Sequence, residues 1–170
     1  MCLCWPMATS FELLRATFRL RFLGWTRIPL LASVRPTLVE LDDGHCLVKV
    51  PLRRWTRNHL GSMYFGALAI GADCAGGLLA AEIIRARGVA VSLVFKSFQA
   101  DFLKRPESDV YFLCEEGIRI AAQIDRVLAT GERHTEPVKV SASVRTPAGF
   151  ETVAEFTLEL SLKKTGRAAL

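Results

Sequence analysis

The sequence predicts an α+β domain in which an antiparallel β-sheet wraps around one long central α-helix, with an extra helix at the N-terminus. Three observations predict it. The run from Leu60 to Ala81 carries a single charge, Asp73, so a helix there is apolar on nearly every side and must be enclosed by protein. Strict alternation marks strands after it: Val138, Val140, Ala142 and Val144 oppose Lys139, Ser141, Ser143 and Arg145, while Phe156, Leu158, Leu160 and Leu162 oppose Glu155, Thr157, Glu159 and Ser161. Short turn signals, Asp42-Asp43-Gly44 and Pro147-Ala148-Gly149, join neighbouring runs, as turns between antiparallel strands do.

Residues 9–23, TSFELLRATFRLRFL, place Phe11, Leu14, Phe18 and Phe22 about a turn apart, with Arg15, Arg19 and Arg21 largely elsewhere. Thr9 or Ser10 caps this helix. Its aromatic stripe is expected to dock on the body of the domain, the alternative being a basic helix lying on a membrane surface. Pro29 and Pro36 bracket an irregular stretch. Thr37 to Leu41 and His45 to Val50 read as strands, and Arg53 to His59 as a polar loop.

The central helix is expected from Phe65 to Arg87. A membrane span is the first alternative for so apolar a run, but its glycines and a carboxylate near its middle argue against one. Gly66, Gly71, Gly76 and Gly77 each weaken a helix by about 1 kcal/mol relative to alanine. Close approach of neighbouring backbone is the expected compensation.

Beyond the helix, Val89, Val91, Leu93 and Phe95 alternate in one phase and Phe98, Ala100 and Phe102 in the other, which predicts a bulge near Ser97. Val110 to Cys114 reads as a partly buried strand. Gly117 to Gly131 returns to helical spacing, with Ile118, Ala121, Ile124 and Leu128 on one face. The tail from Lys163 onward, residues 163–170, is expected to fray. The 170 residues suit one domain, in which residues 1–24 form an N-terminal extension and helix.

Composition narrows the function. Hydrophobic residues make up 51% and charged residues 23%, as in globular proteins. The net charge of +5 favours an anionic ligand or surface, but nothing in the pattern of Lys, Arg and aromatics marks a nucleic-acid strip. Cys2, Cys4, Cys46, Cys74 and Cys114 are an odd set with no CxxC pair, which argues against a disulfide framework and a zinc site. A reducing cytoplasm fits them best. The opening MCLCWPM lacks the basic start and long apolar core of a signal peptide, and reads as an extension upstream of a start at Met7. No P-loop or His-rich metal set is present, and Gly76-Gly77 lacks the context of a dinucleotide fingerprint. No metal or cofactor is expected.

Asp73 is the chemical anomaly. Burying an ionised carboxylate costs several kcal/mol unless it is paired, so packing alone would favour alanine or leucine. It is either satisfied by an arginine or backbone amides, or is a general base or nucleophile whose pKa desolvation raises. Before it, Asn58-His59-Leu60-Gly61 is a polar turn and Tyr64-Phe65-Gly66 opens the helix. First-turn amides, with the helix dipole behind them, suit an anion or developing oxyanion. Asp73 follows Gly66 by two turns, on nearly the same azimuth but about 10 Å further along. Bringing both to one carbonyl needs a second copy of the chain, or a bound water. His59 could orient Asn58 or bind substrate. His45 and His134 read as turn or surface residues, and Cys74 and Cys114 as buried packing. Ser62 is not in a GxSxG elbow.

The segment NHLGSMYFGALAIGADCAGGLLA resembles the start of the central helix in hot-dog fold thioesterases. It is most similar to the branch related to the C-terminal domain of YiiD. More distantly, it is similar to the phenylacetate-degradation type, whose motif runs Asn, then His-Gly-Gly, then Asp on the helix. The resemblance covers most of the chain, and the terminal hairpin from Gly149 to Leu162 adds a weaker match. It implies a hot-dog fold, hydrolysis of an acyl-CoA or related acyl thioester, and no cofactor beyond the CoA of the substrate. It also implies a homodimer or dimer of dimers with shared active sites.

Carried over by position, Asp73 matches the family's catalytic carboxylate, Gly66 the second glycine of His-Gly-Gly, and Asn58 the asparagine that places water or carbonyl. Tyr64 stands where the histidine would be and Phe65 where the first glycine would be. An acyl chain would then run along Phe65, Leu68 and Ala72, with His59 and Tyr64 nearby. Two rivals use the same fold: an acyl-binding or regulatory dimer without turnover, which the altered glycine motif favours, and a hydratase or dehydratase.

Overall fold

The computed structural model describes residues 10–166. The opening heptapeptide, Thr9 and residues 167–170 of the expected tail lie outside the described residues, as do the side chains of Ser10, Phe11, Glu12 and Leu23. The expected N-cap and the first aromatic of the N-terminal stripe fall among these.

Helices α1 (Ser10–Thr26) and α2 (Pro29–Val34) lead into a hairpin of β1 (Thr37–Leu41) and β2 (Cys46–Val50). Helix α3 (Phe65–Arg87) follows, then β3 (Val91–Phe102), β4 (Val110–Cys114), α4 (Gly117–Thr130), β5 (His134–Thr146) and β6 (Gly149–Lys164). The six strands pair antiparallel in the order β1-β2-β4-β5-β6-β3, which leaves β1 and β3 at the edges. The expected bulge is present as a register shift between Phe95 and Phe98 in β3.

Helix α3 packs against β2, β4 and β5. Its length and composition would suit a membrane span, but 61% of its most apolar window is enclosed by the chain, as for a core helix. The enclosure is one-sided, however. Ala72, Ala75 and Leu79 are fully buried, whereas Gly66, Ala69, Ile70, Gly77 and Leu78 are half-buried and Asp73 is exposed. These six form a stripe along the helix that neither the sheet nor the other helices close.

Of the glycines, only Gly71 shows the expected tight approach within α3's core, and its neighbour is a side chain rather than backbone. A Cβ there would fall 2.3 Å from Cε2 of Phe112 on β4. At Gly76 and Gly77 the nearest atoms, on Val138 and Phe95, would stand at ordinary contact distances of 3.5 and 3.6 Å.

Four expectations need correction. Helix α1 docks, but not through its aromatic stripe: Leu20 and Thr17 are buried, and Thr17 Oγ1 accepts the Leu38 N–H at 3.0 Å, while Leu14, Phe18 and Phe22 are exposed. Alternation of Arg with apolar residues hides the docking face, because a threonine and Gly24 share it with Leu20. The stretch between Pro29 and Pro36 is helical, since proline at the first helical turn loses no hydrogen bond. Helix α4 keeps Ile124 buried and Ala121 and Leu128 against the core as expected, but Ile120, Gln123 and Val127 complete its buried face and Ile118 is 85% exposed. Gln123 holds the buried face by donating from Nε2 to the carbonyls of His134 (3.0 Å) and Leu160 (2.9 Å). Finally, β6 runs into the expected frayed tail, with Lys163 and Lys164 paired to Ser92 and Val91.

Candidate active site

The turn before α3 is closed by Asn58. Its Oδ1 accepts the N–H groups of Leu60 (2.9 Å) and Ser62 (3.2 Å), and its Nδ2 donates to Ser62 Oγ (3.0 Å). Gly61, at φ +87°, supplies the left-handed residue that such a tight reversal needs. Thr56 ties the turn to the end of β2, donating from Oγ1 to the Pro51 carbonyl at 2.7 Å, while its own carbonyl accepts the Tyr64 N–H at 2.8 Å. The Met63 N–H donates to the Pro106 carbonyl at 2.9 Å, which brings the loop after β3 alongside. Ser62 is buried and spent in this network.

Between this turn and that loop lies a cleft of about 380 Å³. Asn58, His59, Tyr64, Phe65 and Leu68 line it, as do Lys104 and Arg105 from the far side. At its edge α3 begins without a side-chain cap. The amides of Ala67 and Leu68 donate to the Tyr64 carbonyl, but those of Phe65 and Gly66 have no acceptor among the described residues. Two free donors on a helix N-terminus are suited to an oxyanion. The Tyr64 ring, tilted against Phe65 with centroids 4.7 Å apart, lies over Gly66: a Cβ on that glycine would be 2.7 Å from Cε1 of Tyr64. The space the missing side chain opens is therefore filled by the tyrosine.

Asp73 belongs to a different cleft, of about 280 Å³, walled by Leu20 of α1, Ile28 and Leu31 at α2, and Val91, Ser92 and Leu93 of β3. The carboxylate makes no hydrogen bond or ion pair with any described residue, so the satisfied-aspartate reading fails. It is exposed rather than buried as expected, and stands at the mouth of an apolar recess, because the chain leaves that face of α3 open. Loss of water raises its pKa above the ordinary 3.8. The expected direction and cause are both met.

The predicted site residues thus divide. Asn58, His59, Tyr64, Phe65 and Leu68 gather at the first cleft, with Gly66 beside them. Asp73 lies on the same side of α3, about 10 Å further along the axis. Ala72 is wholly enclosed and lines neither cleft. Sequence reasoning missed Lys104 and Arg105, which are far from the turn in sequence and reach it only through the Met63–Pro106 contact. It also missed Leu20, because the docking face of α1 was assigned to the aromatics, and Ile28 and Leu31, because the stretch around Pro29 gave no helical signal.

Other reactive groups are occupied. His45 sits in the β1–β2 turn between Glu40 (3.1 Å) and Asp42 (2.8 Å), and His134 meets Thr130 Oγ1 at 2.9 Å. Cys46, Cys74 and Cys114 are buried and unbridged. Burial drives the thiols of Cys46 and Cys74 far up and that of Cys114 to about 11, so none is a thiolate nucleophile at neutral pH. Among the described residues no cluster of His, Cys, Asp and Glu could hold a metal ion.

Comparison with solved structures identifies the fold. A protein of unknown function from Chlorobaculum tepidum is 12% identical with a TM-score of 0.74, over 90% of this chain and 97% of its own. A Pseudomonas aeruginosa protein described as of unknown function and a probable thioesterase is 21% identical with a TM-score of 0.70, over 88% and 96%. A thioesterase family protein from Silicibacter pomeroyi is 17% identical with a TM-score of 0.64, over 88% and 99%. The chain shares their hot-dog fold. No curated protein matches its sequence. The family described as a domain of unknown function (DUF4442) matches residues 19–162.

Proposed function

We propose that this chain, which belongs to the DUF4442 family, is a thioester hydrolase that acts on an acyl-CoA or a related acyl thioester. The observation that carries the reading is Asp73, an unpartnered carboxylate at an apolar cleft with a raised pKa. A carboxylate so placed, part in solvent and part against apolar surface, holds a proton more readily than a free one and is suited to take one. Asp73 accepts a proton from water, or attacks directly, as the new C–O bond forms at the thioester carbonyl. The developing oxyanion meets the Gly66 N–H. When water attacks, the C–S bond then breaks, the proton held by Asp73 passes to the departing thiolate, and a carboxylic acid and a thiol leave. When Asp73 attacks, breaking the C–S bond leaves a mixed anhydride on Asp73 and a thiolate that takes its proton from the water that then hydrolyses the anhydride to the carboxylic acid. Asn58, which keeps one Nδ2 hydrogen free of the turn, holds the water or the carbonyl. The acyl chain rests against Phe65 and Leu68, with His59 and Tyr64 at the rim.

One chain holds its two halves of the site apart, so the working unit in this reading is a homodimer, alone or doubled. Support comes from β3, a twelve-residue edge strand that leaves Val94, Phe98 and Phe102 exposed. An exposed apolar edge of that length is a pairing surface. Its buried, unbridged cysteines favour the cytoplasm as its location.

The second reading, an acyl-binding dimer without turnover, is favoured by the Tyr64 ring over Gly66. The discriminating experiment is thiol release from short, medium, long and aromatic acyl-CoAs by wild type and Asp73→Asn. Hydrolysis that collapses in a folded Asp73→Asn supports the mechanism, with kcat/KM of the wild type rising with pH through a pKa above 3.8. Equal rates would remove Asp73 from it. Binding of acyl-CoA with no turnover on the whole panel would establish the second reading.

A further inference from the structure

The proposed chemistry leaves the exposed face of α1 unused. Leu14, Phe18, Phe22 and Trp25 are 66%, 71%, 56% and 76% exposed. At 3.6 residues per turn they span an arc of about 80°, centred about 130° from the docked arc of Leu13, Thr17, Leu20 and Gly24. Arg15 and Arg19 follow on one flank of the stripe; on the other, Arg21 is tied to the body of the protein, its Nε donating to the Pro36 carbonyl at 3.1 Å and its Nη2 to Thr37 Oγ1 at 2.8 Å, and Glu12 is the helix's one acidic residue. The helix is thus amphipathic twice over, with one face on the protein and a second, aromatic and bordered by arginines, facing out.

We infer that this second face docks the protein on an anionic lipid surface. An apolar stripe of Phe, Trp and Leu with cations beside it is the chemistry of a helix lying in the headgroup layer, its rings among the upper acyl carbons and its guanidinium groups on phosphates. None of the four stripe residues lines either cleft, so the stripe offers no recess for a partner's side chain and suits a deformable surface. A second copy is the poorer occupant. Two-fold pairing of this face with itself sets the Arg19 flank against another arginine-bearing flank whichever way the two helices run. The position of the helix gives docking a use. Leu20 of α1, Ile28 and Leu31 wall the Asp73 cleft, so docking holds that cleft behind the helix, about one helix diameter (~10 Å) from the lipid that supplies an acyl chain. This last step rests on the proposed hydrolysis, but lipid binding itself does not.

The test is vesicle co-sedimentation without substrate, using phosphatidylcholine alone and phosphatidylcholine mixed with phosphatidylglycerol. The full chain should bind the mixed vesicles, and binding should weaken as salt rises. Phe18→Ser/Phe22→Ser, both at exposed positions, should lose binding by about tenfold or more, and Arg19→Gln by about fivefold on the mixed vesicles only. With Trp5 and Trp55 replaced by Phe, the emission of Trp25 should shift to the blue on the mixed vesicles. No binding to either vesicle would overturn the inference. So would equal binding by the Phe18/Phe22 variant, or a change in its oligomeric state, which would assign the stripe to a second copy. Because no outcome depends on turnover, failure here leaves the hydrolase reading to its own assay.

Discussion

Replacing Gly71 by alanine tests how the core is built, because the same substitution five residues away should have the opposite sign. The new Cβ would stand 2.3, 2.4 and 2.7 Å from Cε2, Cζ and Cδ2 of Phe112. Ordinary carbon contacts lie near 3.5–4.0 Å, so the ring must withdraw by about 1.2 Å. It has nowhere to go. Phe112 is fully buried with Phe156 beside it at 6.3 Å between centroids, and β4 is pinned on both sides by pairing of Phe112 with Val48 and Ala142. Overpacking of this kind costs up to about 3 kcal/mol, offset by the roughly 1 kcal/mol that alanine gains over glycine in a helix. Gly71→Ala should therefore destabilise by about 2 kcal/mol, a fall in Tm of about 4–8 °C for a domain this size. Gly76→Ala, whose Cβ meets Val138 at 3.5 Å, should instead gain up to about 1 kcal/mol. Chemical denaturation of both variants and of Gly71→Ala/Phe112→Leu measures this, and the double variant should recover at least about 0.5 kcal/mol as coupling. Equal stabilities for Gly71→Ala and wild type, or the same sign at both glycines, would refute the packing argument.

Three further outcomes follow from the site and its supports. Asp73 has a raised folded-state pKa, so it imposes no penalty below about pH 4, where both states are protonated, and its full penalty above the folded pKa. Asp73→Asn should match wild type in acid and exceed its stability at neutral pH in melts across that range. Gln123→Leu removes two hydrogen bonds to the His134 and Leu160 carbonyls together with a buried Oε1 that has no partner. Denaturation should show a net loss of about 1–2 kcal/mol, smaller than for a fully satisfied glutamine. If a dimer shares its sites, an equal mixture of Asp73→Asn and Asn58→Ala chains, refolded together, should regain about a quarter of wild-type turnover, since half the dimers carry one intact site of two. Sites confined to one chain would regain none.

The elements were legible where one period dominated. Helix α3 begins and ends at the residues the pattern indicated, and the phase change at Ser97 marked the bulge, because burial on one face forces alternation on the strand that supplies it. Legibility failed where burial is polar or borrowed. Of the expected α4 face, Ile124 is buried and Ala121 and Leu128 pack against the core, but Ile118 points out because the buried face is centred nearer Gln123, a polar residue the apolar pattern passes over. The start of β5 was hidden by Pro137, which is tolerated because β4 pairs β5 only from Ser141 to Val144, so no ladder bond toward β4 is lost there. The α1 face was assigned to its aromatics, although they are the side turned outward. In the site, the turn and Asp73 stood out locally as a polar break and a lone charge. The cleft walls came from loops and helices distant in sequence, and no local pattern encodes such contacts.

Three unfinished features of this chain adjoin one another, and together they argue for what completes it. The first is the open stripe of α3 that runs from Gly66 past Asp73 to Gly77. The second is the Asp73 carboxylate, which no described residue satisfies. The third is the unpaired edge of β3, whose first residues, Val91 to Leu93, wall the Asp73 cleft and whose Phe95 ring stands 3.6 Å from the Cβ position of Gly77. A chain stable as a monomer would have little reason to keep an apolar edge and a half-covered core helix side by side with a carboxylate set against apolar surface, since an exposed apolar edge is itself a liability. A second copy adding its own β3 to that edge would cover the stripe. It would also carry a polar turn and free helix amides of its own, the parts that Asp73 lacks within 10 Å along α3. The same contact that relieves the exposed surface would then deepen the desolvation of Asp73, so assembly and the tuning of the proposed base are one event.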